Sequence, residues 1–278
     1  MITKTGSSCP ICQSTLDYVF TATVLRRYDV KYYYCANCGL TKTEDPYWLE
    51  EAYQDAVAAA DTGLVQRNLA MVSRLSVLLY YGFDPYGRYA DIAGGYGMLV
   101  RLMRDIGFDF YWDDKYCRNE LARGFEVEPM KGPFTALTAV EVLEHLSDPC
   151  GWIQGQLRYY GANSIICTTM TYEGTAPPDR SWWYYSFETG QHISFYQRRT
   201  LQFIGQRLGL GYWHLHGLHV LSDNTLRSNT LLTRLLAYPG LSAYLLTPLS
   251  FYVKRKMNSM TFSDHMDLLK KEPANMGE

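Results

Sequence analysis

The chain has no strong excess of either charge. Its 26 lysines and arginines nearly balance its 28 aspartates and glutamates, which gives a net charge of -2 and an isoelectric point near 6.3. Domains that bind the phosphate backbone of nucleic acids usually carry a basic face. The composition therefore argues against nucleic acid as a partner.

The sequence also lacks a targeting signal, an internal repeat and a low-complexity tract. Residues 1–8 show neither a charged segment followed by an apolar one nor an arginine-rich amphipathic pattern. We therefore expect a cytoplasmic protein. With 47% hydrophobic and 19% charged residues, the chain is too apolar to be largely disordered. Its 278 residues suffice for one α/β core with a small module, or for two modest domains.

Four of the seven cysteines form two C-x-x-C pairs, Cys9 with Cys12 and Cys35 with Cys38, separated by 22 residues. Four thiolates with this spacing predict a tetrahedral Zn²⁺ site, and because sulfur fills every position the metal is expected to be structural. A redox dithiol, or four unrelated buried cysteines, are the alternatives. Ordinary thiols are expected at the remaining three cysteines, Cys117, Cys150 and Cys167.

Hydrophobic periodicity divides the rest of the chain. After a zinc module at 1–46, the spacing predicts a helical connector or lid at 47–82, an α/β domain at 83–223 and a helical appendage at 224–278. Within the α/β domain, strands that alternate with helices predict a mostly parallel sheet. Strands are expected at 89–92, 108–112, 136–142, 164–168 and 212–221, and helices at 98–106, 152–160 and 201–208.

A glycine-rich turn, Asp91-Ile-Ala-Gly-Gly-Tyr-Gly97, lies where a predicted strand meets a predicted helix. Here the backbone can approach a ligand closely and the helix N-terminus adds a positive dipole. The glycines do not match the G-x-G-x-x-G spacing of dinucleotide-binding loops. An acid at the end of the next strand, Asp113 or Asp114, is placed to accept hydrogen bonds from a ribose diol.

A third motif, Glu141-Val-Leu-Glu-His-Leu-Ser-Asp-Pro149, follows the next strand. The three motifs in this order resemble the class I methyltransferase superfamily, over about residues 84–221. The resemblance implies a Rossmann-like sheet, a small N-terminal zinc-ribbon-like module, a C-terminal helical appendage and S-adenosylmethionine as the cofactor. It further implies that Asp114 binds the ribose and that Glu141 lies near the cofactor. The methionine end of the pocket is assigned to Asp91, Gly94, Gly95 and Gly97.

The segment 181–196 is rich in Trp and Tyr around His192. We expect His192 to act as a general base, with Tyr184 or Tyr185 orienting the acceptor. The alternative is that His192 only fixes its loop through a backbone carbonyl. His145 is a second candidate catalytic residue, unless Glu144 and His145 merely organise the turn after the strand.

The zinc module, combined with the Gly190-Gln-His-Ile-Ser-Phe-Tyr196 segment, resembles methyltransferases of bacterial sugar and glycan pathways, including the sugar C-methyltransferases. This resemblance implies a small-molecule or lipid-linked saccharide as the acceptor, with O- or C-methylation left open. Two other functions remain. One is an rRNA methyltransferase, and the other is a zinc-ribbon adaptor with a degenerate methyltransferase fold, for which Ala93 and Thr135 speak because they depart from the family motifs.

The stretch Leu235–Val253 carries no charge and is followed by Lys254-Arg-Lys256. Pro239, Gly240 and Pro248 are expected to break a spanning helix into short pieces. We therefore expect two short helices packed on the domain. The alternative is a weak contact of residues 235–256 with the membrane surface, which would place the protein at the inner face of the membrane.

Overall fold

The computed structural model describes residues 4–53, 62–127, 132–223 and 239–271. Its contacts divide these residues into two units. The first, called the cysteine unit, contains residues 4–53, 139–159 and 164–223. The second, called the glycine unit, contains the other described residues. This division does not test the predicted domain boundaries, which stay predictions.

A five-stranded antiparallel sheet in the cysteine unit has the strand order β1-β2-β3-β4-β9. Its last strand comes from far along the chain and pairs with β4 through Thr41 and Phe195. The inner face is aromatic: the rings of Phe20, Tyr32 and Tyr185 pack together. Many of the aromatic residues are thus core. The strands are β1 Lys4–Ser8, β2 Thr15–Val24, β3 Tyr28–Tyr34, β4 Thr41–Thr43 and β9 Ser194–Phe195.

The cysteine unit also contains a hairpin that the sequence pattern did not show. One strand was expected over 212–221, and this is wrong: β10 and β11 pair as an antiparallel hairpin. His216 and Gly217 both adopt positive φ, 50° and 80°, which is the geometry that turns tight hairpins. β11 then pairs antiparallel with β8. The further elements are α1 Leu49–Ala52, α4 Pro149–Tyr160, β8 Ser164–Thr168, α5 Arg198–Leu208, β10 Gly211–Leu215 and β11 Leu218–Ser222.

In the glycine unit, β5 lies between β6 and β7 and pairs with both in parallel. These strands end the six-stranded sheet, whose order is β10-β11-β8-β7-β5-β6. Alternating strands and helices predict the parallel pairs, whereas the antiparallel pairs of β11 with β8 and β10 make the sheet mixed. The elements are α2 Leu64–Gly82, β5 Arg88–Asp91, α3 Met98–Ile106, β6 Asp109–Trp112, β7 Ala136–Val140, α6 Pro239–Lys256 and α7 Thr261–Lys271.

The C-terminal stretch forms a longer helix than expected. The prediction that Pro248 breaks it is wrong, because α6 continues through Pro248; α6 begins at Pro239, and a break at that proline stays a prediction. A proline in the first turn needs no N–H partner, and an internal proline removes one hydrogen bond without ending a helix that packing holds. Ser250 of α6 is buried and lies within hydrogen-bonding distance, 3.4 Å, of Ser76 in α2.

None of the described helices has the length and hydropathy of a membrane-spanning segment. In α6 the rings of Phe251 and Tyr252 are exposed beside Lys254 and Arg255. The alternative of a weak contact of residues 235–256 with a membrane surface stays untested, and residues 235–238 lie outside the described part of the chain.

Candidate functional site

Two similar turns present the four cysteine sulfurs. The backbone N–H of Gln13 donates to the Cys9 carbonyl over 3.0 Å, and that of Gly39 donates to the Cys35 carbonyl over 2.8 Å. Gln13 and Gly39, the residues that follow the two C-x-x-C pairs, have positive φ of 64° and 78°. A Cβ at Gly39 would collide with Gln197, so glycine is required there.

The sulfurs converge as the cysteine spacing predicts. Sγ of Cys9 lies 3.6 Å from Sγ of Cys38, Sγ of Cys12 lies 3.3 Å from Sγ of Cys35, and all four lie within 4.8 Å of one another. Four sulfurs at about 2.3 Å from one Zn²⁺ lie about 3.8 Å apart, so the group fits this ion. Hydrogen bonds from Cys38 and Cys9 hold the pKa of Cys35 below its usual value.

The glycine loop joins β5 to α3 in the glycine unit. Gly95 and Gly97 have positive φ, 52° and 86°, and Gly97 is the N-cap of α3. A Cβ at Gly95 would meet no atom within 4 Å, so the backbone there faces open space. A Cβ at Gly94 would instead collide with Trp112, whose Nε1–H donates to the Gly95 carbonyl over 2.9 Å. Trp112 was not among the predicted site residues.

The two candidate ribose acids have different partners. One oxygen of Asp114 accepts the N–H of Gly95 at 2.9 Å, and the other accepts the N–H groups of Tyr116 and Cys117, each at 2.7 Å. The carboxylate of Asp113 accepts the hydroxyl of Tyr160. Asp114 thus holds the glycine loop directly, and the assignment of the ribose to either acid stays a prediction.

Asp91 lies beneath this loop and is fully buried. Its carboxylate accepts the hydroxyl of Thr138 over 2.8 Å. Burial raises the pKa of Asp91 to about 7; the hydrogen bond from Thr138 opposes this, and the charge of Asp114 adds to it. Asp91 therefore supports the loop from the buried side, through its hydrogen bond with Thr138.

The cysteine unit contains a second group of polar side chains, which we call the acid–histidine cluster: Glu141, Glu144, His145, Tyr184 and His192. Glu141 follows β7 and has a φ of 53°, a strained conformation for a residue with a Cβ. Its backbone N–H donates to Oγ1 of Thr168, whose hydroxyl donates back to the Glu141 carboxylate.

Tyr184 joins the two acids of the cluster. Its hydroxyl lies 2.7 Å from Oε1 of Glu144 and 3.2 Å from Oε2 of Glu141. Glu144 is 0% exposed. Burial and the charge of Glu141 raise the pKa of Glu144 well above its usual value. The sequence motif gave no sign that Tyr184 contacts Glu144.

Both histidine rings are fixed by backbone carbonyls. Nδ1–H of His145 donates to the Gln191 carbonyl over 3.0 Å, and Nδ1–H of His192 donates to the Tyr184 carbonyl over 2.8 Å. The two ring centroids are 5.0 Å apart. Burial and the neighbouring His145 lower the pKa of His192 to about 4, so its imidazole is neutral at pH 7. The carbonyl contact that is expected if His192 only fixes its loop is therefore present. It leaves the lone pair of the His192 ring on Nε2.

Tyr185, the other predicted orienting tyrosine, lies elsewhere. Its ring packs on Phe20 and Phe195, and its hydroxyl donates to the carbonyl of Pro178 over 3.0 Å. The structure brings Tyr184 and His192 together, with ring centroids 4.6 Å apart, and places Tyr185 in the aromatic core.

A family model described as "Methyltransferase domain" matches residues 64–215, more than half of the chain. The chain belongs to this methyltransferase domain family. The matched residues of the methyltransferase domain include the glycine loop and the acid–histidine cluster, whereas the four cysteines lie outside them. The family and the mixed sheet confirm the predicted α/β methyltransferase fold, and the predicted enzyme class is confirmed at the level of the family.

Solved structures similar to this methyltransferase have low sequence identity. TnmH is 14% identical with a TM-score of 0.42, over 64% of this chain and 62% of its own. Human N-acetylserotonin methyltransferase in complex with SAM is 14% identical with a TM-score of 0.38, over 64% and 66%. An O-methyltransferase family 2 protein from Planctomyces limnophilus in complex with apigenin is 15% identical with a TM-score of 0.40, over 64% and 65%.

The chain spans less than two thirds of the length of each of these three proteins. No curated protein matches it.

Proposed function

We propose that this methyltransferase uses S-adenosylmethionine to methylate a hydroxyl group of a saccharide. The observation that carries the proposal is the glycine loop, which lies inside the family match and leaves open space beside the Cα of Gly95, just before α3. A helix N-terminus with accessible backbone suits a polar or charged ligand. Such a site fits a cofactor that has a ribose and a methionine carboxylate.

Cofactor binding is assigned to residues of the loop and its support. Gly95 would let the cofactor approach the backbone, whereas Gly94 and Gly97 would allow the close packing that shapes the loop. Asp91 would support the loop, and Asp114 would accept one ribose hydroxyl with its remaining lone pair on Oδ2. Glu141 is retained as a cofactor residue on the resemblance alone. S-adenosylmethionine supplies an electrophilic sulfonium methyl group.

Acceptor activation is assigned to His192. A sugar hydroxyl is a weak nucleophile at neutral pH and gains reactivity when a base removes its proton. The neutral ring of His192, with Nδ1–H bound to a carbonyl, has its lone pair at Nε2 to accept that proton. Tyr184 positions the two glutamates and the His192 loop. Because the Tyr184 hydroxyl already contacts both glutamates, its role is positioning rather than proton transfer. His145 stays a second candidate base.

The saccharide assignment has support from one exposed ring. Trp183, in the turn next to Tyr184, is 70% exposed. Exposed indole rings are suited to stack on the apolar face of a sugar. O-methylation is preferred over C-methylation because a neutral imidazole base fits deprotonation of a hydroxyl.

The test is incubation of the full chain with methyl-labelled S-adenosylmethionine and separate panels of nucleotide sugars, extracted glycans, phenols and ribosomal RNA, followed by mass spectrometry. We expect label on a saccharide oxygen, and a Trp183→Ala variant is expected to raise KM for the acceptor with little change in cofactor affinity. Label found only on phenols or only on RNA would show that the acceptor is not a saccharide. Absence of cofactor binding by calorimetry would instead favour the adaptor.

A further inference from the structure

Three side chains of the acid–histidine cluster converge without a known ligand. Glu144, His145 and His192 each offer one ligand atom, and these atoms lie within 4.8 Å of one another. Glu144 and His145 are adjacent in the turn after β7, whereas His192 precedes β9. Nitrogen and oxygen atoms bound to one transition metal at about 2.0 to 2.2 Å lie about 3.3 to 3.6 Å apart, so a convergence of about 1 Å would join them.

Backbone hydrogen bonds lock the two segments together. The N–H of Ile193 donates to the carbonyl of Glu144 over 2.8 Å, and the hydroxyl of Ser194 donates to the carbonyl of Leu146 over 2.7 Å. His192 is therefore held beside Glu144 and His145 by the main chain. The main chain therefore fixes the relative positions of the three side chains.

One oxygen of Glu144 has no partner in the parts of the chain that the structure describes. The side chain is 0% exposed, Oε1 accepts the Tyr184 hydroxyl, and Oε2 contacts no hydrogen-bond donor among those residues. Within the same described ranges, no salt bridge includes Glu144 or Glu141. A buried carboxylate oxygen with neither donor nor cation is unfavourable, and a bound cation would satisfy it.

The two imidazoles are oriented as metal ligands usually are. In each, Nδ1–H donates to a backbone carbonyl, that of Gln191 for His145 and that of Tyr184 for His192. This contact fixes each ring, and in His192 it leaves the lone pair on Nε2, which is the arrangement by which outer partners orient ligating histidines. The hydroxyl of Tyr184 likewise orients the Glu144 carboxylate.

We propose that Glu144, His145 and His192 bind one divalent transition-metal ion, separate from the ion expected at the four cysteines. Two imidazoles and one carboxylate suit Zn²⁺, Mn²⁺ or Co²⁺ and leave coordination positions for oxygen ligands. With the ion bound, Nε2 of His192 is a ligand, so the general-base role proposed for His192 belongs to the metal-free protein. The metal proposal does not rest on the proposed methyl transfer, because binding is measured without cofactor or acceptor.

The test counts metal in the full chain. Wild-type protein dialysed against Zn²⁺ is expected to retain two equivalents of zinc per chain. The Glu144→Gln and His192→Ala variants are each expected to retain one equivalent. His214→Ala, which removes a histidine of the same unit outside the cluster, is expected to retain two. Mn²⁺ binds thiolates poorly, so electron paramagnetic resonance is expected to count one Mn²⁺ site in the wild type. In both cluster variants the Mn²⁺ affinity is expected to fall by more than about 100-fold, since loss of an outer partner alone costs about 10- to 100-fold.

One zinc equivalent in the wild type, with no Mn²⁺ binding, overturns the proposal, as does an equal metal count in wild type and cluster variants. Should the variants fail to fold, ¹¹³Cd nuclear magnetic resonance of the wild type decides. Two resonances, one from four sulfurs and one from nitrogen and oxygen ligands, support the second site, and a single tetrathiolate resonance excludes it.

Discussion

Asp114 uses both carboxylate oxygens on backbone N–H groups, those of Gly95, Tyr116 and Cys117. Asp114→Ala is expected to weaken S-adenosylmethionine binding by roughly 1.5 to 3 kcal/mol, the range for losing hydrogen bonds to a charged group. Calorimetric titration measures this. Asp113→Ala is the matched variant, because the side chain of Asp113 contacts Tyr160, and its contact with the loop is made by the backbone carbonyl, which the substitution keeps. A larger loss for Asp113→Ala would move the ribose assignment to that residue.

Asp91 makes stability depend on pH in an unusual direction. Because burial raises its pKa to about 7, the folded state binds its proton more tightly than the unfolded state, whose pKa is about 4. Its contribution to the free energy of unfolding is complete below about pH 4 and falls as pH rises to about 7, by up to about 4 kcal/mol.

Asp91→Asn keeps an oxygen for Thr138 and removes this titration. We expect urea unfolding to show the variant gaining stability relative to wild type between pH 5 and pH 7.5. Comparing the difference at the two pH values cancels the titration of the cysteines. A constant difference across this range would show that Asp91 is ionised in the folded protein.

At the scale of elements, a buried ion pair fastens α7 within the glycine unit. The guanidinium of Arg104 in α3 donates to both oxygens of Asp264 in α7, over 2.9 and 2.8 Å, and to Asp109 over 2.7 Å. Burial would raise the pKa of Asp264, but the hydrogen bonds from Arg104 and Arg101 outweigh it and lower this pKa. Asp264 is therefore charged at neutral pH.

Asp264→Asn is expected to cost about 3 kcal/mol of unfolding free energy at pH 7, because it leaves the buried Arg104 without its main counter-charge. Chemical denaturation measures the change. Asp267→Asn, on the same helix, removes only an exposed pair with Lys270 and is expected to cost less than about 0.5 kcal/mol. Equal effects of the two substitutions would contradict the attachment described.

Regular elements were predictable where the local pattern decides them. The helix expected at 98–106 is found at Met98–Ile106, because the left-handed glycines Gly97 and Gly107 bound an apolar periodic run. Pro248 misled because its effect depends on the packing of α6, and the β10–β11 hairpin was missed because His216 is not a typical turn residue.

The candidate site was predictable only in part. The cysteine quartet and glycine loop follow from spacing along one stretch of chain. Glu144 was visible beside His145, but its proximity to His192 depends on the main-chain contact between Ile193 and Glu144, which no local pattern shows. For the same reason Tyr184 and Tyr185 were equivalent in the sequence, and only packing separates them.

At the scale of the whole molecule, hydrogen bonds connect the cysteine turns to the acid–histidine cluster. Leu40, next to the second C-x-x-C pair, is followed by β4, where the N–H of Thr43 donates to the Ile193 carbonyl over 3.0 Å; the N–H of Ile193 donates in turn to Glu144. A structural zinc ion contributes folding free energy to the segments that it joins. Loss of the ion is therefore expected to destabilise the acid–histidine cluster as well.

Zinc removal, or Cys38→Ser, is expected to accelerate amide hydrogen exchange at Thr43 and Ile193 by more than about tenfold while leaving Val100 and Met103 of α3 unchanged. Cys117→Ser is the control, since that thiol lies outside the quartet. Exchange that accelerates equally in α3 would indicate global unfolding, and no change at Ile193 would show that the turns and the cluster are independent.

The β4–β9 pairing has a consequence for biosynthesis. Thr41 and Phe195 are partners in the sheet although roughly 150 residues separate them. At about 5 to 20 residues per second, a ribosome needs roughly 8 to 30 s to deliver the second strand after the first. During this interval the nascent chain presents the open edge of β4, and an exposed edge invites pairing with other chains. Early binding of zinc by the four cysteines, all of them synthesised before β4, would keep that edge ordered until β9 has been synthesised.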